Sequence, residues 1–184
     1  MSHILDITGI FKKLILLEHL VEGSEGYCAK RSVGSELDQG NEQYDDYWAW
    51  VKGIVCSYMI ESSLKFRILQ DTIKGEKDII KLDNLDSEAC EGLEIGKIVK
   101  GNFGISLREA CNKIIHARHV TPNWSTKKLN SIEFQFWNGT VDLSGVKNSE
   151  PWEFRLYLGT WSQAMQRFFD AYSESSVYIG QDWY

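Results

Sequence analysis

The sequence predicts a mainly α protein that ends in a three-stranded antiparallel meander and a terminal helix. Three observations lead there. Apolar residues recur at helical spacing through most of the first 120 positions. The period changes to strict alternation near residue 131, and a helical face returns after Gly159. The chain has 184 residues, 43% of them hydrophobic and 25% charged, which suits a single domain with a sizeable core. The expected division is a helical bundle over 1–124, the meander and its helix as an appendage over 125–175, and a tail over 176–184.

Each element has its own signal. Ile7, Ile10, Phe11, Leu14, Leu17 and Val21 place an amphipathic helix over 4–22, in which His19 reads as structural. GSEGYCAKRSVGSELDQG follows, rich in Gly and Ser, and reads as a long connecting loop. Its Lys30-Arg31 pair is a candidate phosphate contact. The glycines match neither phosphate-loop spacing, so a solvated loop is the favoured reading. Tyr47, Trp48, Val51, Ile54, Val55, Tyr58, Phe66 and Leu69 mark a helix over 42–73, ~45 Å long at the usual rise, with Glu61 and Lys65 paired on its exposed side. A short helix is expected to start near Asp86 or Ser87. The acidic run Asp83, Asp86, Glu88, Glu91 and Glu94 lacks the alternate-oxygen pattern of a calcium loop and reads as a solvated face.

SLREACNKIIHARHV, residues 106–120, is the next helix. Ser106 with Glu109 forms a capping box at its start, and Pro122 marks its end by biasing Thr121 away from helix. In SIEFQFWNGTVDLSGV, Asn138-Gly139 sits between two alternating runs as a two-residue hairpin turn. PWEFRLYL supplies the third strand. Thr160 then caps a helix whose buried face is Trp161, Met165, Phe168, Phe169 and Tyr172, and the tail SESSVYIGQDWY is unplaced.

Charge and cysteine usage narrow the function. A net charge of −6 argues against a broad nonspecific nucleic-acid surface and leaves room for a small basic site. Cys28, Cys56, Cys90 and Cys111 form no CxxC pair and read as reduced thiols of a cytoplasmic protein. MSHILDITGI lacks the basic-then-apolar pattern of a secretory signal, so the sequons NWS and NGT carry no weight. VKGIVCSYMI is the nearest approach to a membrane span, and Lys52 and Glu61 break it.

The chemistry gathers on the 106–120 helix. Leu107, Cys111 and Ile114 define its buried face, with Ile115 toward one edge. Arg108, Asn112, His116 and His119 fall within about a quarter-turn bordering that face. Glu109 and Lys113 lie further toward solvent, and Arg118 points toward the buried side. Structural readings exist for most of these: His119 stands in the last turn, where the helix dipole favours a cation, and Asn112 and His116 suit the edge of a core. Arg108 differs. In the first turn a cation opposes the dipole at a cost of ~0.3–1 kcal/mol, which calls for a specific partner. No HExxH, GxSxG or Walker loop is present, and His116 with His119 finds no third metal ligand on its face. No metal and no cofactor are expected.

LREACNKIIHA, following a pair of long helices, resembles the HEPN (higher eukaryote and prokaryote nucleotide-binding) group. These are small helical proteins of prokaryotic toxin, phage-defence and RNA-processing systems. Many members carry an Arg, then four to six residues, then His, with a polar residue beside the Arg. In active members two such motifs meet across a dimer and cleave RNA without metal. The resemblance covers the helical pattern of 4–120, and its specific part is that eleven-residue stretch. It implies a HEPN-like helical bundle and a homodimer, with RNA or nucleotide as ligand and an antitoxin protein as partner. Arg108, Asn112 and His116 would be the catalytic residues, and Arg118, His119, Lys30 and Arg31 the substrate-binding ones. Such a site needs no metal: the RNA 2′-OH is the nucleophile, a His moves its proton, and an Arg stabilises the phosphorane. Seven residues separate Arg108 from His116, one beyond the family range. That departure favours the alternative, a non-catalytic binding or dimerisation module of the same fold with the polar stripe structural.

Overall fold

A computed structural model describes residues 6–35, 42–75 and 82–177. Among them are five helices and a four-stranded antiparallel sheet. In chain order these are α1 (Ile7–Arg31), α2 (Glu42–Gly75), α3 (Leu82–Cys90), β1 (Gly96–Lys100), α4 (Leu107–His116), β2 (His119–Leu129), β3 (Ile132–Lys147), β4 (Glu150–Tyr157) and α5 (Leu158–Val177). The sheet order is β1-β4-β3-β2. The fold is therefore mixed α/β rather than mainly α, with the meander β2-β3-β4 leading into the terminal helix. One buried cluster draws on both parts: Leu14, Leu17, Val55 and Phe66 from the helices join Trp137, Leu143, Phe154 and Trp161. Among the described residues no helix is long and apolar enough to cross a membrane.

The expected loop after residue 22 is helix as far as Arg31. Its buried positions explain why: Ile10, Leu14, Leu17, Ser24 and Cys28 share one face. The 3,4 spacing continues past Val21 through Ser24, which does not read as apolar, to Cys28 amid Gly and Ser. Gly23 and Gly26 each cost about 1 kcal/mol in helix propensity, and packing of that face offsets it. Asp6 caps the start by accepting the Gly9 N–H (2.8 Å). Ser32 ends the helix in the left-handed region (φ 54), and the Val33 N–H returns to the Cys28 carbonyl (3.1 Å). The remainder of the expected loop, 36–40, lies outside the described residues, as do 178–184 of the tail.

The α1 extension completes the sheet. β3 pairs with β2 along nearly its whole length but with β4 only from Thr140 onward. Before Thr140, β2 and β3 form a two-stranded ribbon, and the free edge of β3 meets α1. The Trp137 N–H donates to Ser24 Oγ (3.1 Å), and the Gln135 N–H donates to the Val33 carbonyl (2.8 Å). Ser24 is buried and also shares a hydrogen bond with the Tyr47 phenol (3.1 Å).

Asn138-Gly139 is not a turn. β3 runs through it, and the β2–β3 register shifts there, between Pro122 and Trp124. Gly139 takes φ +79 in this bulge, and a Cβ on it would collide with Val21 of α1. The turns are Asn130-Ser131 (φ 49 and 70) and Asn148-Ser149 (φ 51 and 68), with positive φ at both central positions as type I′ hairpins require. Pro122 lies within β2, an edge strand, where a missing N–H is tolerated. Helix α5 begins at Leu158, so Thr160 is inside its first turn rather than its cap. The Thr160 hydroxyl binds the Glu94 carbonyl (2.6 Å), tying α5 to the chain entering β1. Trp161, Met165, Phe168 and Phe169 are buried as their spacing predicts.

Ser24→Ala leaves the buried Trp137 N–H without its acceptor and should destabilise the fold by ~1–3 kcal/mol, read from urea unfolding. On the outer sheet face, Asp142 of β3 accepts from Arg155 of β4 twice (2.7 and 2.9 Å). Those hydrogen bonds hold the Asp142 carboxyl below the usual aspartate range. A lowered folded value means the contribution is complete above the ordinary aspartate pKa of ~4 and is lost as pH falls through the folded value. The pair is partly exposed, so Asp142→Asn should cost less than ~1 kcal/mol at neutral pH, with the gap to wild type closing toward pH 2 in paired unfolding curves.

Candidate functional site

The α4 stripe is built from both ends of the helix. At its start, Ser106 is extended (φ −149, ψ 166) and its side chain accepts the Glu109 N–H (3.1 Å). Asp86 of α3 takes the other two free donors: Oδ1 accepts from Leu107 N–H (2.8 Å) and Oδ2 from Arg108 N–H (2.9 Å). The Ala110 N–H bonds the Ser106 carbonyl (2.9 Å). The helix N-terminus, otherwise an anion site, is thus filled by a carboxylate from the same chain. Asp86 is buried, not part of a solvated acidic face, and α3 begins at Leu82, ahead of the expected start.

Arg108 has the partners its position calls for. Its guanidinium donates to Gln70 Oε1 (3.0 Å) and Asp71 Oδ1 (2.8 Å), both on α2. These bonds, with Asp86 at the same helix end, offset the cost of a cation in the first turn. Asn112 Nδ2 donates to Glu109 Oε2 (3.1 Å). Lys113 reverses its expected placement: it is 4% exposed. Its Nζ lies 3.9 Å from the Phe103 ring centre and 4.3 Å from that of Trp152, and pairs with Glu109 (3.3 Å). Gly145 makes room for this clasp, since a Cβ there would come within 2.5 Å of the Trp152 ring.

The helix ends at His116, earlier than Pro122 suggested. Ala117 turns to extended backbone (φ −64, ψ 134), and the Arg118 N–H joins the Ser144 carbonyl (2.8 Å). His119 is therefore the first residue of β2, opposite Ser144, and not a helical neighbour of His116. Sheet pairing wins over a further helical turn because it satisfies the backbone of a strand that the core already needs. His116, Arg118 and His119 are all exposed and fall within four consecutive positions where α4 passes into β2. Arg108 and Asn112 are engaged elsewhere. Eight residues of helix set Arg108 ~12 Å along the axis from His116. Lys30 and Arg31 stand in the last turn of α1, where cations suit the dipole, and the Arg31 guanidinium lies 4.9 Å from the Tyr27 ring centre.

Thiol chemistry is not on offer at this helix. Burial pushes the Cys111 thiol up to about 12 and that of Cys90 up to about 11, so both are protonated at neutral pH. Among the described residues no group of three or more His, Cys, Asp or Glu side chains is placed to hold a metal ion. Asp86 escaped the sequence reading because its partners lie more than twenty positions away, and the burial of Lys113 escaped it because the Phe103 and Trp152 rings that enclose it come from outside the helix. Ser106→Ala should cost ~1 kcal/mol. Asp86→Ala, which frees two backbone donors, should cost ~2–3 kcal/mol. Chemical denaturation of the two variants gives the order. No protein-family model matches the chain, and neither a curated protein nor a solved structure is detectably similar to it.

Proposed function

We propose that this chain is a non-catalytic module of HEPN-like type that binds RNA or nucleotide phosphate at the α4–β2 junction, rather than a metal-independent ribonuclease. The observation that carries this reading is the engagement of Arg108. Cleavage needs a guanidinium and an imidazole on the same phosphate. Arg108 is held by Gln70 and Asp71 on α2, a helix length of ~12 Å from His116. Moving it would break a charge-assisted pair with Asp71 and the hydrogen bond to Gln70.

The junction suits binding. His116 stands at the end of α4, and Arg118 and His119 follow it on the surface as further hydrogen-bond donors. Three such groups can meet one or two phosphates, in keeping with a chain whose net charge of −6 provides no broad basic face. In a homodimer, two junctions side by side would double that number. A purified sample incubated with RNA should leave it intact, with or without a chelator. A short single-stranded RNA should bind with an affinity that falls as salt rises. His116→Ala and Arg118→Ala should each weaken that binding by about fivefold to tenfold while leaving the unfolding midpoint unchanged, because both side chains are exposed. RNA cleavage that His116→Ala abolishes would restore the ribonuclease reading, and an absence of RNA or nucleotide binding would end both.

A further inference from the structure

A groove of about 740 Å³ opens between α1 and the first half of α2. That volume falls within the usual range for small-ligand sites. Its walls carry Tyr27, Arg31 and His19 from α1, with Asp46, Tyr47 and Trp50 from α2. Nothing in the α4 chemistry uses it.

We infer that this groove is a second ligand site, for a small planar aromatic ring carrying one anionic group. Trp50 is 54% exposed and Tyr27 45%, unusual for rings this large on a chain that buries Trp137 and Trp161 completely. The Tyr27 ring is already covered, stacked on Tyr47 (4.9 Å between centres, 19° between planes) on one side and met by the Arg31 guanidinium (4.9 Å). Trp50 only tilts against Tyr47 (6.3 Å, 40°), which leaves its indole as the open stacking platform.

The charges select the rest of the ligand. Among the described residues, Arg31 is the one permanent cation lining the groove, and it forms no ion pair with another described residue. Asp46, on α2, is an acceptor for an amine or hydroxyl and repels a second anionic group. Among the described lining residues, one permanent cation with one carboxylate fits a single phosphate or carboxylate; an extended polyanion needs a track of cations. Gly23 deepens the space. It lines the groove, and a Cβ added there would meet nothing within 4 Å.

Two sources share this chemistry, a nucleoside monophosphate and an aromatic carboxylate such as an indole acid. Calorimetric titration of the full chain with adenosine and uridine monophosphates, and separately with indole-3-acetate, distinguishes them. At least one series should saturate at millimolar concentration or below. The matching neutral ring, adenosine or indole, should bind about tenfold more weakly or worse, and Arg31→Ala should erase that difference. Trp50→Ala should weaken both the charged and the neutral ligand. Gly23→Leu should abolish binding while keeping or raising the melting temperature, because it fills the groove and replaces a helical glycine. RNA binding at the α4–β2 junction should be indifferent to Gly23→Leu, so the two sites fail or stand separately. The inference is overturned if neither series saturates, if Gly23→Leu binds as wild type does, or if the neutral and anionic rings bind equally well.

Discussion

Ser24 Oγ lies where α1, α2 and β3 meet. It accepts the Trp137 N–H and shares a hydrogen bond with the Tyr47 phenol, and its side chain is buried. Much else depends on this contact. β3 extends well beyond its pairing with β4, and that stretch is tolerable only if something covers its free edge. α1 covers it, and must therefore run on through two glycines to Arg31. The same contact fixes Tyr47 at the start of α2. Burial pushes the Tyr47 phenol up to about 12, so it stays a neutral hydrogen-bonding group throughout the physiological range. The groove between the two helices takes its shape from this anchoring.

α4 is held in a comparable way, by charge rather than by strand edge. Asp86 fills its N-terminus, Arg108 ties it to α2, and Lys113 is enclosed by Phe103, Trp152 and Glu109. Arg108, a candidate reagent on the helical wheel, is thereby a fastener, and with Asp86 and Lys113 it links α4 to α2, α3 and the sheet. Within α4 the exposed position is His116 in its last turn, and Arg118 and His119 follow it in the open. This division between fastened and open groups is the support for the proposed reading of binding over cleavage.

Long, strongly periodic segments were legible in the sequence. α2, the buried face of α5 and the Ser106 cap follow from spacing and local chemistry alone, and so does the existence of a late meander, although the two strands expected on either side of Asn138-Gly139 are the single strand β3 and β2 was not read as a strand. What was not legible depended on distant partners. The second half of α1 is helical because Ser24 and Cys28 are buried and Ser24 binds the sheet, and Ser24 does not announce itself as apolar. β1 is five residues long, GKIVK, and is a strand because β4 offers it an edge. Asn-Gly and Asn-Ser both tolerate positive φ, and the chain uses the weaker signal for its turns and the stronger for a bulge, where α1 presses too closely for any side chain. Of the candidate site, Arg108's need for a partner was readable from its place in the first turn. Its partner's identity was not, since Gln70 and Asp71 lie nearly forty positions away.

The covered edge of β3 also bears on how the chain reaches its fold. The Ser24–Trp137 bond closes a separation of 113 residues, so the ribbon can form through its local turns long before its edge is sealed. During synthesis α1 emerges first and waits with its Ser24 face unmatched until β3 arrives. In refolding from denaturant the order is free, and a β2–β3 ribbon formed early presents an unpaired edge to other chains. The vulnerable interval is therefore a property of the order in which the pieces meet, and the direction of translation shortens it.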